Sequence, residues 1–274
     1  MEQESSTNSK NGMRQWLRTL TTGKVVGLVL ILLLAIYLVV LLVVPGQQVR
    51  RLNRQYEIPE DNEKAPAAFS GDSGIFALQK KKIFLESRLK MSKSDSIGLA
   101  VDLSDSLVTL EINGIVLYRE KINTFHASKL FRAVKRETYL GMFAEPLRVT
   151  SHHSTFEKIP LIYRKVPKDS IEAEEQLSEV PDTTLKKPPL LILTMDHDIQ
   201  LYFYPYEDLS GRDKFIKLIF NTVQELRYNR QYLSSLIHLK IPAYHSRIKI
   251  FMTEREIISL YRALPENAII ALML

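Results

Sequence analysis

Cysteine is absent from this 274-residue chain. That absence excludes disulfides, thiolate metal sites, iron–sulfur clusters and every mechanism with a cysteine nucleophile. Glycine (10) and proline (12) are too sparse for a collagen-like or low-complexity chain, and 45% hydrophobic residues are too many for wholesale disorder. No sign of charge dominates. The 37 basic and 31 acidic residues leave +6, too mild a surplus to indicate nucleic-acid binding. Phosphate-binding glycine loops, dinucleotide fingerprints and a Ser-His-Asp order are missing as well.

What is present first is an uninterrupted apolar run. Val25 to Val44 carries no charge, and all but Gly27, Ala35 and Tyr37 are Val, Leu or Ile. As a helix it spans about 30 Å, the thickness of a bilayer core. At about −0.3 kcal/mol per such residue, insertion is favourable by roughly 5 kcal/mol. A cleaved signal peptide has a shorter apolar region and a small-residue site after it. Here Pro45 follows instead, so 25–44 is expected to be an uncleaved transmembrane helix and the lipid bilayer the first partner. The positive-inside count is a tie, with Lys10, Arg14, Arg18 and Lys24 before the run and Arg50, Arg51, Arg54 and Lys64 after it.

The remainder divides by composition. Residues 1–24 form a polar tail in which Trp16, Leu17 and Leu20, among Arg14 and Arg18, suggest an interfacial helix entering the membrane. Residues 45–73, with Pro59, Pro66 and the SGDSG turn at 70–74, read as a tether. A helical lead-in is expected over 74–95, its helix from Ile75 to Met91 and Lys80, Lys81 and Lys82 on its solvated face. From Ser96 strands dominate. Ile97–Leu103 and Leu107–Ile112 are two, and Asn113-Gly114 turns the second into a third from Ile115. A further strand is expected within 138–150, ending at Leu147-Arg148-Val149.

Residues 167–189, acidic and proline-bearing, read as a long exposed insertion. Leu190–Met195 and Ile199–Tyr204 are apolar strands joined by Asp196-His197-Asp198, which is ordinary turn chemistry. Phe215, Ile219, Val223 and Leu226 recur at helical spacing, and a second helical piece is expected from about Asn229 to Leu239. Arg247–Met252 is a strand, Thr253-Glu254-Arg255-Glu256 a capping box that opens a helix to about Ala263, and Ala268–Leu274 a buried closing strand. The fold class is therefore α+β and strand-rich. His152-His153 and Asp196-His197-Asp198 match no metal spacing, and no cofactor is implied. Tyr202, Phe203, Tyr204 and Tyr206 read as core plus sheet edge.

Two stretches of residues 96–274 carry a resemblance. SIGLAVDLSDSLVTLEINGIVLYREKI, from Ser96 to Ile122, resembles the opening hairpin of the L,D-transpeptidase catalytic domain of the bacterial envelope. RIKIFMTEREIISLYRALPENAIIALML is similar to that family's ending of strand, capped helix, Leu-Pro turn and final strand. The family's signature, Ser-His-Gly-Cys-Ile-Arg-Leu, falls on Tyr244-His245-Ser246-Arg247-Ile248-Lys249-Ile250. His245 keeps the histidine and Lys249 replaces an arginine. Ser246 stands for the glycine, and Arg247 for the nucleophilic cysteine. The upstream His-Gly-Thr motif is missing, with Phe203-Tyr204-Pro205-Tyr206 nearest its place. The resemblance implies a β-sandwich with short helices at 96–274, carrying a degenerate site.

An arginine cannot take over as nucleophile, because its guanidinium stays protonated. Ser246 is the only hydroxyl nearby, and neighbours on a strand face opposite ways, so it would not meet His245. The expected product is a pseudoenzyme. The resemblance places it in the bacterial inner membrane as a single-pass protein, with its domain in the periplasm binding peptidoglycan or an envelope protein. Arg247 and Lys249, two apart on a strand, would share a face suited to carboxylates. Two rivals stand beside that reading: a membrane-anchored adaptor of unrelated α+β fold, and an envelope hydrolase or transferase with a non-cysteine nucleophile.

Overall fold

A computed structural model describes residues 27–28, 31, 44–56, 73–158, 187–237 and 245–274, with backbone alone at 73 and 229–237. The polar tail and nearly all of the expected membrane segment and acidic insertion lie outside those residues. Among the described residues, no helix is long and apolar enough to cross a membrane. The chain divides into two compact units, 1–47 and 48–274, and the second carries the fold.

Nine strands form one mixed sheet in the order β3-β2-β1-β9-β5-β6-β7-β8-β4. The first hairpin follows the alternating sequence closely. Strands β1 (Gly98–Asp102), β2 (Leu107–Ile112) and β3 (Ile115–Lys121) pair in succession, each antiparallel to the one before. Asn113 (φ 51°) and Gly114 (φ 79°) both enter left-handed space in the turn between β2 and β3. That is why Asn-Gly is favoured there. Strand β9 (Ile269–Met273) lies parallel to β1, and β5 (Leu147–Ser154) lies antiparallel to β9. The second half is β6 (Leu191–Met195), β7 (Ile199–Pro205), β8 (Ser246–Met252) and β4 (Thr124–Ala127). There β7 and β8 are parallel and the other pairs antiparallel.

One core takes side chains from both halves of the sheet. Leu99, Val101, Ile270 and Leu272 meet it from one half, and Leu193, Leu201, Phe203, Ile248 and Ile250 from the other. Full burial of such a residue contributes about 1.5–3 kcal/mol. Helix α5 (Glu254–Ala263) adds Ile257, Leu260 and Tyr261, and its first turn is fixed by the expected capping box. Thr253 N donates to Glu256 Oε2 at 2.7 Å while Glu256 N donates to Thr253 Oγ1 at 3.5 Å.

Each half carries a separate helix on its other side. Helix α1 (Ser73–Met91) sets Phe84 and Met91 on Ala100, Ala271 and Met273. Its Arg88 makes a fork to the buried Glu111, donating at 3.2 and 2.6 Å, and Thr109 donates to the same carboxylate at 2.8 Å. Removing the arginine would leave a buried acid short of partners, the costly half of such a pair. The long helix α4 (Gly211–Ile237) covers the β6-β7-β8 face, where Leu190, Ile192, Tyr202 and Tyr204 meet Phe220 and Phe251.

Several expectations are corrected here. Residues 136–143 are not strand but helix α3 (Arg136–Phe143), because Thr138, Tyr139, Met142 and Phe143 bury one helical stripe; β5 begins at Leu147 and does not end there. A short helix α2 (Leu130–Ala133) and the exposed edge strand β4 were not anticipated. Helix α4 runs through Asn229 without a break. Lys81 and Lys82 are exposed, but Lys80 is half-buried: its Nζ donates to the Leu274 carbonyl at 2.9 Å and lies 4.9 and 4.7 Å from the ring centres of Phe76 and Tyr139. Pro188 and Pro189, placed in the exposed insertion, are buried.

The expected tether is helical over its first stretch, within residues 44–55. Leu52 enters the core, and Asn53 Oδ1 accepts from Lys135 N at 3.1 Å and from Thr138 Oγ1 at 2.7 Å, capping α3 from outside. Tyr56 then fills the space over Gly141, where an added Cβ would stand 2.4 Å from a ring carbon. Alanine is the better helix former by about 1 kcal/mol. Gly141→Ala is nevertheless expected to destabilise the protein by about 1–3 kcal/mol, since overpacking outweighs propensity. Denaturation of the full chain would measure it. Gly141→Ala with Tyr56→Ala should lose less than the two single changes added together.

Candidate functional site

The degenerate motif opens β8, whose side chains alternate cleanly. Ser246, Ile248, Ile250 and Met252 are buried, while Arg247 and Phe251 are partly covered and Lys249 is exposed. His245 and Ser246 therefore face opposite ways, as strand geometry requires. Ser246 is only 1% exposed. It points with Ile248 toward the core, where an incoming carbonyl cannot reach it.

The opposite face carries the polar chemistry. Register sets Gln200 beside Arg247, Tyr202 beside Lys249 and Tyr204 beside Phe251. Odd-numbered residues of β7 (Ile199, Leu201, Phe203) join the core, so the even-numbered ones meet α4. Gln200 is fully buried and satisfied. Its Nε2 donates to Tyr228 Oη and, at 3.5 Å, to Thr194 Oγ1, and its Oε1 accepts from Tyr202 Oη at 3.1 Å. Tyr204 Oη donates to Asn221 Oδ1 at 2.7 Å. Lys217 lies 4.3 Å from the Tyr204 ring centre and 5.3 Å from that of Phe251.

The Arg247 guanidinium donates to a carboxylate of the chain itself, Glu225 of α4. With side chains 35% and 53% exposed, this is a marginal pair worth under about 1 kcal/mol. Lys249 shares the face and remains exposed. The His245 ring lies 4.5 Å from that of Tyr228, and its Nδ1 is 3.7 Å from Asp198 Oδ1, too far for a hydrogen bond. Among the described residues that buried nitrogen has no hydrogen-bond partner.

Burial fixes the protonation of this layer. It pushes the Tyr202 hydroxyl up to about 12, a rise that nearby Arg247 reduces and Tyr228 and Glu225 increase. Tyr204 is raised further by the same burial. Burial lowers Lys217, and neighbouring Lys249 lowers it again. At neutral pH the face therefore holds neutral phenols, a neutral imidazole and an arginine already paired. It can hydrogen-bond and it can present charge at its margin, while the Ser246 hydroxyl lies on the other, core-facing side.

Five partners in this layer escaped the sequence: Gln200, Lys217, Asn221, Glu225 and Tyr228. Only Gln200 gave a signal, as a polar residue inside an otherwise apolar strand. His152 and His153 lie elsewhere, on β5, and Asp196-His197-Asp198 is a tight turn with His197 and Asp198 at positive φ. Among the described residues no His, Asp and Glu group is arranged to hold a metal. A cavity of about 290 Å³ lies away from the motif, against Phe76, Lys80, Ser104 and Leu274. Comparison with known families, with curated proteins and with solved structures finds no match to this chain.

Burial also holds the His245 imidazole below its ordinary 6.5; Asp198 opposes that shift and Arg247 adds to it. His153 is lowered too, by burial and then by Arg227 and His152. A histidine depressed in the folded state stabilises above its unfolded pKa and loses that contribution as pH falls through the folded value. Denaturation between about pH 7.5 and pH 5.5 should therefore show falling stability, by at most about 1.4 kcal/mol per pH unit for each histidine. His245→Gln and His153→Gln should each flatten the profile.

Proposed function

We propose that this chain is a non-catalytic, single-pass protein of the bacterial inner membrane. Its domain is a degenerate relative of the L,D-transpeptidases that holds peptidoglycan or an envelope protein close to the bilayer. In this reading the nine-stranded sheet is a modified form of that family's sandwich, 25–44 is the anchor, and 48–274 stands in the periplasm. No cofactor is required.

One observation carries the pseudoenzyme reading. The residue standing where the resemblance expects a nucleophile is Arg247, held by Glu225 beneath α4, while the adjacent Ser246 is buried. Acyl transfer needs a nucleophile that can approach a carbonyl, with a base beside it. Neither residue meets that need. The role left to such a domain is to bind, with its hydrogen-bonding groups and marginal cations in place of chemistry.

The test uses the full chain in nanodiscs. Incubated with tetrapeptide muropeptides and a D-amino acid, it should give no exchange, and exchange above background overturns the pseudoenzyme reading. Arg247→Cys should also stay near background, because each missing transition-state donor costs about 10²–10³ in rate. Purified sacculi, or an envelope protein cross-linked in cells, should retain the chain. A phosphatase fused after Leu274 should be active; an abundant but silent fusion places the domain on the cytoplasmic side.

A further inference from the structure

Helix α4 lies on the sheet by its polar side, with Phe215, Ile219, Val223 and Leu226 turned to solvent. Lys217, Asn221 and Glu225 fall one turn apart, in a single line along the helix. Asn221 accepts from Tyr204 and Glu225 from Arg247, so this line tracks the outer face of β7 and β8. Lys217 heads it, with its Nζ 4.3 Å from the Tyr204 ring centre and 5.3 Å from that of Phe251. Register brings two more donors to the same face. Lys249 stands two residues before Phe251 on β8, and His126 of β4 lies directly opposite Lys249. The His126 ring meets that of Phe251 at a steep angle, with centres 5.8 Å apart. Phe251 is thus a floor between the Lys217 side, formed by α4, and the exposed edge strand β4.

The two lysines of this group are uncompensated. Among the described residues, neither Lys217 nor Lys249 donates a hydrogen bond or forms an ion pair with a carboxylate. The nearby acids are engaged elsewhere. Glu225 holds Arg247, Asp213 accepts from Ser210, and Glu207 accepts from Glu254 N at 3.3 Å. Burial, and after it Lys249, holds the Lys217 ammonium below the ordinary lysine range, with no acid opposing the shift. Two ammonium groups that repel, one of them half out of water, are a costly arrangement unless something neutralises them. An anion between them turns that repulsion into charge-assisted hydrogen bonds, and the His126 ring offers a further N–H. Lysine is a compact point charge with three rotatable donors, suited to a rounded group of oxygens. The planar fork of Arg247 is already committed to Glu225.

We infer that Lys217 and Lys249, with His126, form an anion-binding site over Phe251 that takes one compact oxyanion, a phosphate or a carboxylate. The inference rests on the reading that this domain binds a ligand, and on nothing about its descent. It replaces Arg247 with Lys217 as the cation that acts beside Lys249.

The probes are inorganic phosphate and acetate, each exchanged for chloride at constant ionic strength, with the full chain in neutral detergent. At least one of them should raise Tm saturably, by about 3 °C or more at ten times its half-saturating concentration. Lys217→Gln and Lys249→Gln should each raise that concentration at least tenfold, while Lys121→Gln on β3 leaves it unchanged. Acylation of the wild-type amines, read by mass spectrometry, serves where a variant misfolds. The same anion should slow modification of Lys217 and Lys249 severalfold and leave Lys82 and Lys121 as they were. A response to phosphate names a phosphoryl ligand, and a response to acetate names a carboxylate. Protection spread evenly over all four lysines, or a Tm rise that survives both substitutions, is general screening and overturns the site. No response from a chain that sacculi or a cross-linked partner still retain overturns the site and leaves the binding reading standing. No response and no retention overturn both.

Discussion

Among the described strands, β5 alone pairs with both halves of the sheet. Its first residues, Leu147 and Arg148, pair with β9, and its later ones, through Ser154, pair with β6. A register shift between Val149, opposite Met195, and Ser151, opposite Thr194, falls inside the pairing with β6. A bulge of this kind bends and twists a strand. The two edges of β5 serve two neighbours that would otherwise end as open edges. The core described above needs both halves, so it needs this strand intact. The turn at 196–198 reinforces it, because Asp196 Oδ2 accepts from Arg148 N at 2.9 Å.

The β7–α4–β8 crossover sets what the second half can do. Two adjacent parallel strands require a long connection, and here that connection lies back across the face of the strands it joins. The outer face of β7 and β8 is therefore covered in part by its own crossover, through Gln200–Tyr228, Tyr204–Asn221 and Arg247–Glu225, with Lys249 left exposed at its margin. These are hydrogen-bonded polar contacts, with an apolar contribution from Phe220 and Phe251 at their centre. Such a layer specifies how the helix sits more than it adds to stability, since each net hydrogen bond contributes only about 1 kcal/mol.

The parts of the fold legible in the sequence were those where one local rule decides. Asn113-Gly114 gave its hairpin, Thr253 with Glu256 gave its capping box, and the apolar runs at 191–195 and 199–205 gave buried strands. Where packing decides, sequence was a poor guide. Arg136–Phe143 has too short a periodic stretch to declare itself a helix, and β4 (Thr-Phe-His-Ala) owes its strand to pairing with Ile248–Phe251. At the site, alternation along β8 was enough to set Arg247 and Lys249 on one face. The burial of Ser246 and the carboxylate opposite Arg247 were not legible, since both depend on partners far along the chain. The spacing of Phe215, Ile219, Val223 and Leu226 marked a helix correctly but was silent on which way that stripe would face.

The position of β9 has a consequence for how the protein is made. It lies between β1 and β5, with Leu99 opposite Ile270 across roughly 170 residues of intervening chain. The hairpin of β1, β2 and β3 can pair as soon as it is synthesised, but its open side stays unfilled until 269–273 arrive. Until then Ala100 and Val101 expose an unpaired strand edge, and α1 has only half of the surface it rests on. Assembly is thus held back by a long loop closure, the slowest class of pairing. During that interval the chain keeps an open strand edge that a chaperone can hold. A defect near Ile270 would register first as lost yield, and only afterwards as lost stability.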